Sequence, residues 1–375
     1  LALLELTRGD RTDGIALLKG LAAGNPQEVQ ARLLLLGTPE IRVEDPDAAQ
    51  TLVSELRHAD GQTGLWWRLH QASLWLASDN WQSHKRQIGD LLEYCISADP
   101  TWPAPVLALA GMYSRLGETD RVEALYRQGL LANPSATELA DPLLALLEEQ
   151  QRFVDAERIL RQISRNPRAQ YWRPRILEGM GDYSRAIEEY RLRVSNDPQD
   201  DRSRIQLARL IYQETGDAGQ AMRYLEEARA ISPDSRTLNA VQASILRGEG
   251  QDAEAVQVLD DYVADYNSFD AYWLRAVYLA ERGEVDRAEE DYRKLTSFAN
   301  GDAGYELLAN FQAGLGNLDQ AVATVEEGIE AYPEDLRLKR RLMEFLLQRG
   351  QPEDRDRALA ILAELRETFP DDPAL

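Results

Sequence analysis

The sequence is poor in cysteine and histidine. Its 375 residues include a single cysteine, Cys95, and three histidines. One thiol excludes an internal disulfide framework, a zinc site built from cysteines and a multi-thiolate cluster, and we expect Cys95 to be buried and inert. His70, His84 and Asp79 are the one conceivable metal-ligand set, but no HxxxH or HExxH spacing supports ligation. We therefore predict no metal and no cofactor.

Basic residues are also scarce relative to acidic ones. Lys and Arg total 42 against 64 Asp and Glu, which gives a formal net charge of −22. A chain this acidic repels nucleic-acid phosphates and anionic membrane surfaces on average, so we expect no nucleic-acid partner. No apolar run reaches the roughly 20 residues that a membrane-spanning helix needs, and we expect no direct membrane span in this segment.

Motifs of common catalytic sites are missing as well. The sequence contains no GxxxxGK phosphate-binding loop and no GxSxG nucleophile elbow. Paired glutamates are frequent, but most recur at one place in a sequence repeat, which is typical of a solvated helix face rather than of acid–base catalysis. The sequence therefore predicts a chain that is not an enzyme.

An internal repeat of about 34 residues organises what is present. Glycines that end an apolar stretch recur at spacings of 34, 33, 33 and 34 residues: Gly216, Gly250, Gly283, Gly316 and Gly350. A small residue follows at +5, a large apolar one at +9 and often a proline at +17. Apolar residues at i, i+3, i+4 and i+7, as in Val106–Tyr113, predict amphipathic helices between these positions.

This pattern resembles the tetratricopeptide repeat family in its long bacterial-type arrays, whose unit is two antiparallel helices in about 34 residues. The runs GDYSRAIEEY (Gly181–Tyr190) and NLDQAV (Asn317–Val322) carry the resemblance most clearly. The resemblance implies an all-α, right-handed superhelical solenoid of about ten helix-turn-helix repeats plus a partial first repeat. It also implies a concave face lined by the first helix of each repeat.

Irregular repeats predict a division of the array at residue 100. Residues 1–100 are expected to form irregular N-terminal repeats: a half repeat, a long turn at 37–47 and a tryptophan-rich unit with extra residues around His84. Residues 101–375 are expected to form a regular array with a short unit at 167–198, where Pro174 kinks or restarts a helix. Because the chain starts at Leu1 and stops at the opening of another repeat, we expect a segment of a longer protein.

The inward positions implied by the resemblance carry arginine and aromatic side chains in the central repeats. Such groups bind carboxylates bidentately, stack on planar side chains and are enriched at binding hot spots. We predict that they form a partner-binding concave face: Tyr171, Arg175, Arg202, Arg209, Tyr212, Arg247 and Trp273. Ion pairs with acids one turn away on the same helix explain the arginines equally well.

The family's carboxylate clamp, which grips acidic chaperone tails with Lys and Asn, is not expected here. The matching inward positions hold other residues: Leu107 and Gly111, Asp141 and Ala145, or Ile205 and Arg209.

Tryptophans are concentrated in one part of the chain. Five of the seven fall within 37 residues: Trp66, Trp67, Trp75, Trp81 and Trp102. Neighbours on a helix point in different directions, so Trp66 and Trp67 cannot both face one core. One of them is either exposed, where it could extend a partner surface or stack on a saccharide, or covered by residues 37–47; we favour packing.

These observations lead to a hypothesis of function. We predict a non-catalytic scaffold that binds a protein or peptide partner in the concave groove, and the arginines favour an acidic partner. The alternative is a regulatory or substrate-presenting arm of a larger enzyme or of a bacterial polysaccharide-export or envelope protein. Both the cytoplasm and the periplasm of a bacterium fit the sequence.

Overall fold

The structure is a computed structural model that describes residues 11–368. Its chain divides into two compact bodies, the N-terminal body Leu1–Glu189 and the C-terminal body Tyr190–Leu375. The described residues contain 22 α-helices and no strand, which confirms the predicted all-α class.

The N-terminal body contains eleven complete helices and one short 3₁₀ helix among its described residues. They are α1 Arg11–Gly24, α2 Val29–Leu36, α3 Pro39–Arg42, α4 Pro46–Asp60, α5 Trp66–Ala77, the 3₁₀ helix Trp81–His84, α6 Lys85–Ala98, α7 Pro103–Arg115, α8 Thr119–Ala132, α9 Thr137–Glu149, α10 Phe153–Gln162 and α11 Ala169–Gly179. The boundary between the bodies falls within α12, Tyr183–Asn196.

The C-terminal body contains ten further helices among its described residues. They are α13 Asp201–Thr215, α14 Ala218–Arg229, α15 Arg236–Gly248, α16 Asp252–Tyr266, α17 Phe269–Glu281, α18 Val285–Leu295, α19 Gly301–Gly314, α20 Leu318–Ala331, α21 Leu336–Arg349 and α22 Asp354–Thr368.

Helices pack as consecutive pairs within each body. In the C-terminal body α13 packs on α14, α15 on α16, α17 on α18, α19 on α20 and α21 on α22. We call the earlier helix of a pair the first helix. First helices of neighbouring repeats also touch: α5 contacts α7 in the N-terminal body, and α15 contacts α17 in the C-terminal body. Among the described residues, this succession of paired helices agrees with the predicted helix-turn-helix repeat.

The turn between the two helices of a pair requires a left-handed residue. Gly283 has φ +76°, and around it Glu284 N–H donates to Leu279 O at 2.9 Å, a six-to-one bond that closes the end of α17. Gln151 occupies the same place after α9 with φ +56°, and Arg152 N–H donates to Leu147 O at 2.8 Å. Gln151 therefore takes the place of the repeat glycine at this turn.

Buried positions follow the repeat. The small residue at +5 is fully buried in five consecutive repeats: Ala186, Ala221, Ala255, Ala288 and Ala321. The large residue at +9 is also buried: Tyr190, Leu225, Leu259, Tyr292 and Val325. Each pair of short helices is stabilised by burying these residues, since helices of this length are marginal alone.

Two irregular segments interrupt the N-terminal body. Residues 37–47 replace a short turn: α2 has only eight residues, and the four-residue helix α3 follows it. The 3₁₀ helix Trp81–His84 is the extra turn before α6. Farther along, Pro174 lies inside α11, and the helix does not restart there but continues to Gly179. The division of the array at residue 100 stays a prediction.

Candidate partner-binding surface

Two of the predicted contact residues, Tyr171 and Arg175, lie on α11 in the N-terminal body. Tyr171 is 40% exposed, and the guanidinium of Arg168 lies 4.8 Å from its ring centroid. Arg175 donates twice to Glu148 on α9, from Nη2 to Oε2 at 2.5 Å and from Nε to Oε1 at 3.2 Å. This acid belongs to the preceding repeat and not to the helix of Arg175.

A second acid of α9, Asp141, also accepts two hydrogen bonds from residues of the next repeat. Asp141 Oδ1 accepts a hydrogen bond from Trp172 Nε1 at 2.8 Å and one from Arg168 Nε at 3.0 Å. The hydrogen bond to Asp141 is the main cause that raises the pKa of Arg168. Two acids of α9, Asp141 and Glu148, are thus paired with Arg168, the residue before α11, and with Arg175 on α11.

The other five predicted residues lie on three first helices of the C-terminal body: Arg202, Arg209 and Tyr212 on α13, Arg247 on α15 and Trp273 on α17. Arg247 Nη1 donates to Glu281 Oε2 of the next repeat at 2.8 Å, and Tyr212 Oη donates to Glu249 Oε1 at 2.9 Å.

The other three predicted residues of the C-terminal body differ in their contacts. Trp273 lies under the guanidinium of Arg236, whose Cζ is 4.4 Å from the ring centroid. Arg209 Nε donates to Gln206 Oε1 at 2.9 Å, so its same-helix partner is an amide. Arg202 is exposed, and within residues 11–368 its side chain makes no ion pair.

A groove of about 720 Å³ in the N-terminal body was not predicted. Its sides are the C-terminal halves of α5 and α7. It is also lined by Arg42, Val43, Pro46 and Asp47, from the irregular residues 37–47, and by Ser78 and Asn80, in the loop that precedes the 3₁₀ helix. The only signal in the sequence was that consecutive repeats both depart from the 34-residue pattern. Nothing in the pattern shows that the two departures meet.

Apolar side chains form much of the groove surface. Leu74 and Leu107 are only partly buried where they line it. Gly111, on α7, is exposed, and a Cβ atom built there meets no other atom within 4 Å. Leu107 and Gly111 occupy the positions that a carboxylate clamp would use, so this groove offers an apolar surface there.

Two guanidinium groups and one carboxylate also line the groove. Arg115 Nη1 donates to Leu76 O at 2.6 Å, and its Cζ lies 5.6 Å from the ring centroid of Trp81. Arg42 is exposed and has no ion-pair partner among the described residues; Asp47 is the one acid of the lining. The groove is thus locally cationic in a strongly acidic chain.

The histidines near the groove have packing roles. The imidazole of His84 stacks on Trp75, with ring centroids 4.8 Å apart and planes inclined by 18°. Burial, aided by the charge of Arg42, lowers the pKa of His70 to about 4, so its imidazole is neutral at pH 7. In the described part of the chain no three metal-ligating side chains come together.

The adjacent tryptophans are divided as expected. Trp67 is 7% exposed in a cluster that includes Ile41, whereas Trp66 is 40% exposed and packs edge-on against Trp102 at 4.6 Å. Cys95 is fully buried, and burial raises the pKa of its thiol to about 11, which confirms the buried position that the sequence predicts. Across residues 11–368, no helix is long and apolar enough to cross a bilayer.

One family model agrees with the repeat in part of the chain. The family described as tetratricopeptide repeat matches residues 241–303. No curated protein matches the chain. Among solved structures, the chain is similar to a thermophilic tetratricopeptide-repeat protein of Thermus thermophilus, with 24% identity and a TM-score of 0.32, over 46% of this chain and 95% of that one.

Two other solved structures show the same kind of likeness. YrrB, described as a tetratricopeptide-repeat protein with an unusual peptide-binding site, shares 15% identity over 48% of this chain and 95% of its own, with a TM-score of 0.37. The Cut9–Hcn1 hetero-tetramer structure of the APC/C matches 99% of this chain and 73% of its own, with 14% identity and a TM-score of 0.35.

Proposed function

Since the chain contains tetratricopeptide repeats, we propose that it is a non-catalytic scaffold that holds a partner peptide or domain against the faces of its first helices. Proteins built from this repeat are in general interaction scaffolds, because stacked hairpins leave extended surfaces as their binding sites. The partner chemistry and the residues below are our proposal.

The groove of the N-terminal body is the observation that carries this proposal. Its volume of about 720 Å³ lies within the range of roughly 300–1,000 Å³ that is typical of ligand sites. A regular array has short turns in place of both irregular segments. Here residues 37–47 contribute Arg42 and Asp47 to the groove, and the loop just before the 3₁₀ helix contributes Ser78 and Asn80, so residues at both departures from the repeat line one surface.

We propose the seven predicted residues as contact surfaces beyond the groove, Tyr171 and Arg175 in the N-terminal body and the other five in the C-terminal body. Arg202, which has no ion pair among the described residues, offers its guanidinium directly to an acidic partner. Arg175 and Arg247 are already paired with Glu148 and Glu281, so a partner carboxylate binds them by exchanging with these acids.

An affinity capture with two variants tests the scaffold. The chain is immobilised, partners are captured and identified by mass spectrometry, and capture is compared between the wild type, Gly111→Leu and the triple variant Arg202→Ala, Arg209→Ala, Tyr212→Phe. Phenylalanine is chosen because the ring of Tyr212 packs against the core. We expect at least one partner to be lost from each variant.

Gly89→Leu on α6 is the matched control. A Cβ atom at Gly89 also meets nothing within 4 Å, and Gly89 does not line the groove. Capture that all variants share with the wild type would contradict the assigned surfaces. Robust turnover of a substrate by the chain would contradict the non-catalytic role.

A further inference from the structure

The groove of the N-terminal body offers apolar surface against which a partner's apolar side chain can be buried. Leu74, Leu107 and Ala108 are partly buried and present carbon to it. Gly111 leaves a gap in the surface of α7 where every other residue type would place a side chain. Burial of an apolar group against these residues is favourable by about 25 cal/mol per Å².

The charges in the groove favour a carboxylate close to that apolar group. Arg115 is positioned by its bond to Leu76 O and by the ring of Trp81. Because the remaining N–H groups of a guanidinium form a planar fork, a positioned arginine suits a carboxylate. Arg42, without an ion pair in residues 11–368, supplies a second cation without having to break a bond.

Asp47 limits how many carboxylates the groove accepts. It lies in the lining with the two arginines, and the chain as a whole carries a net charge of −22. A run of acids would be repelled by both, whereas one carboxylate is compensated by two guanidinium groups.

Polar groups at the edge of the groove suit a peptide main chain. Asn80 Oδ1 accepts a hydrogen bond from Ser78 Oγ at 2.9 Å, and its amide nitrogen has no acceptor among the described residues. An exposed amide that still has donors to offer can bind a backbone carbonyl of an extended segment.

We propose that this groove binds an extended peptide segment in which an apolar side chain is adjacent to a single Asp or Glu. The apolar side chain fills the gap at Gly111, and the carboxylate lies between Arg42 and Arg115. This inference rests on the proposed scaffold function and specifies the partner chemistry of its groove.

Selection from a random peptide library displayed on phage tests the inference with the full chain as bait. We expect enriched peptides to share an apolar residue next to one acid. Synthetic, fluorescein-labelled forms of the enriched peptide and of its Asp→Asn or Glu→Gln counterpart are then compared by fluorescence anisotropy. Loss of the carboxylate should weaken binding about tenfold.

Two variants with matched controls localise the binding. Gly111→Leu fills the gap and should abolish binding, yet it should fold well, because leucine has the higher helix propensity and its Cβ meets nothing; Gly89→Leu should bind like the wild type. Arg42→Glu should weaken binding at least tenfold, whereas Arg86→Glu, an exposed charge on α6 outside the groove, should change it less than twofold.

The outcomes separate this inference from the scaffold function. Peptides that lack an acid, or that bind Gly111→Leu as well as the wild type, overturn the inference and leave the scaffold function standing. Failure of the library to yield any peptide, together with partner capture that no variant alters, overturns both.

Discussion

Arg247 and Glu281 lie 34 residues apart in the sequence, and Nη1 of the first is 2.8 Å from Oε2 of the second. They belong to the neighbouring first helices α15 and α17. The hydrogen bond from Arg247 to Glu281 is also the main reason why the pKa of this guanidinium is raised. A residue that we predicted to contact a partner therefore also links two repeats.

This link should contribute little to stability. The two side chains are 46% and 55% exposed, and exposed pairs are usually worth less than about 1 kcal/mol. A double-mutant cycle with Arg247→Ala and Glu281→Ala, measured by urea unfolding, should give a coupling energy below that value, and lower still in 1 M NaCl.

The buried pair of Arg275 with Asp291 provides the contrast. Their side chains are only 18% and 5% exposed. Asp291→Ala leaves Arg275 with Asp260 as its remaining partner, and the loss of the two buried hydrogen bonds should cost about 1–3 kcal/mol in urea unfolding. The single variants Glu281→Ala and Asp291→Ala give the comparison. If both lower the free energy of unfolding by the same amount, burial does not determine the strength of these ion pairs.

Replacement of Gln151 by glycine should stabilise the chain. Gln151 has φ +56° where seven other repeats place a left-handed glycine, and a left-handed conformation costs a residue with a side chain about 1–2 kcal/mol. We expect Gln151→Gly to raise the free energy of unfolding by about 1 kcal/mol, as measured by urea denaturation. The reverse change, Gly283→Gln, should lower it by a similar amount, and a stabilising Gly283→Gln would refute this explanation.

Two glycines of α19 should respond oppositely to alanine. A Cβ atom at Gly304 would lie 2.5 Å from the backbone carbon of Leu295, so α19 or the end of α18 must shift; overpacking of this kind costs about 1–3 kcal/mol. A Cβ atom at Gly314 meets nothing within 4 Å, and alanine there should stabilise by about 0.5–1 kcal/mol. Thermal unfolding of the two variants gives the comparison, and a tolerated Gly304→Ala would contradict the close approach.

His70 should make stability depend on pH above the range in which most carboxylates titrate. Its folded pKa of about 4 lies below the value of about 6.5 for an unfolded histidine. Between these values the unfolded chain binds a proton that the folded chain does not. The contribution of His70 to the free energy of unfolding is therefore complete above pH 6.5 and decreases as the pH falls, by about 2 kcal/mol between pH 7 and pH 5.

The variant His70→Gln isolates this contribution. Urea unfolding at pH 7 and pH 5 should show a smaller loss for the variant than for the wild type. Identical losses would mean that His70 is protonated in the folded chain at pH 5.

The repeat itself could be predicted because its signal is local. A glycine such as Gly283 ends one helix within a few residues of the buried Ala288 that starts the packing of the next. The same offsets recur along the chain, and the five glycines from Gly216 to Gly350 mark them. Short-range patterns of this kind determine helix bounds and buried positions almost directly.

The partner surface was harder to predict because its side chains contact residues about one repeat away in the sequence. Arg175 and Arg247 looked free or paired within their own helices, but their acids lie 27 and 34 residues away. Likewise, residues 37–47 and Trp81–His84 appeared only as interruptions. Arg42 and Asn80 line one groove because of the way in which neighbouring repeats stack. No pattern along the sequence predicts that stacking.

The groove draws its distinctive chemistry from residues 42–115, a stretch of consecutive repeats. Because a helix pair contacts mainly the next pair, substitutions in this stretch leave the packing of distant repeats unchanged. The stretch can thus be exchanged between repeat arrays as one segment. Transferred into another array of the same kind, it would confer its ligand preference on that array. Related chains could then bind different ligands while they keep the same fold.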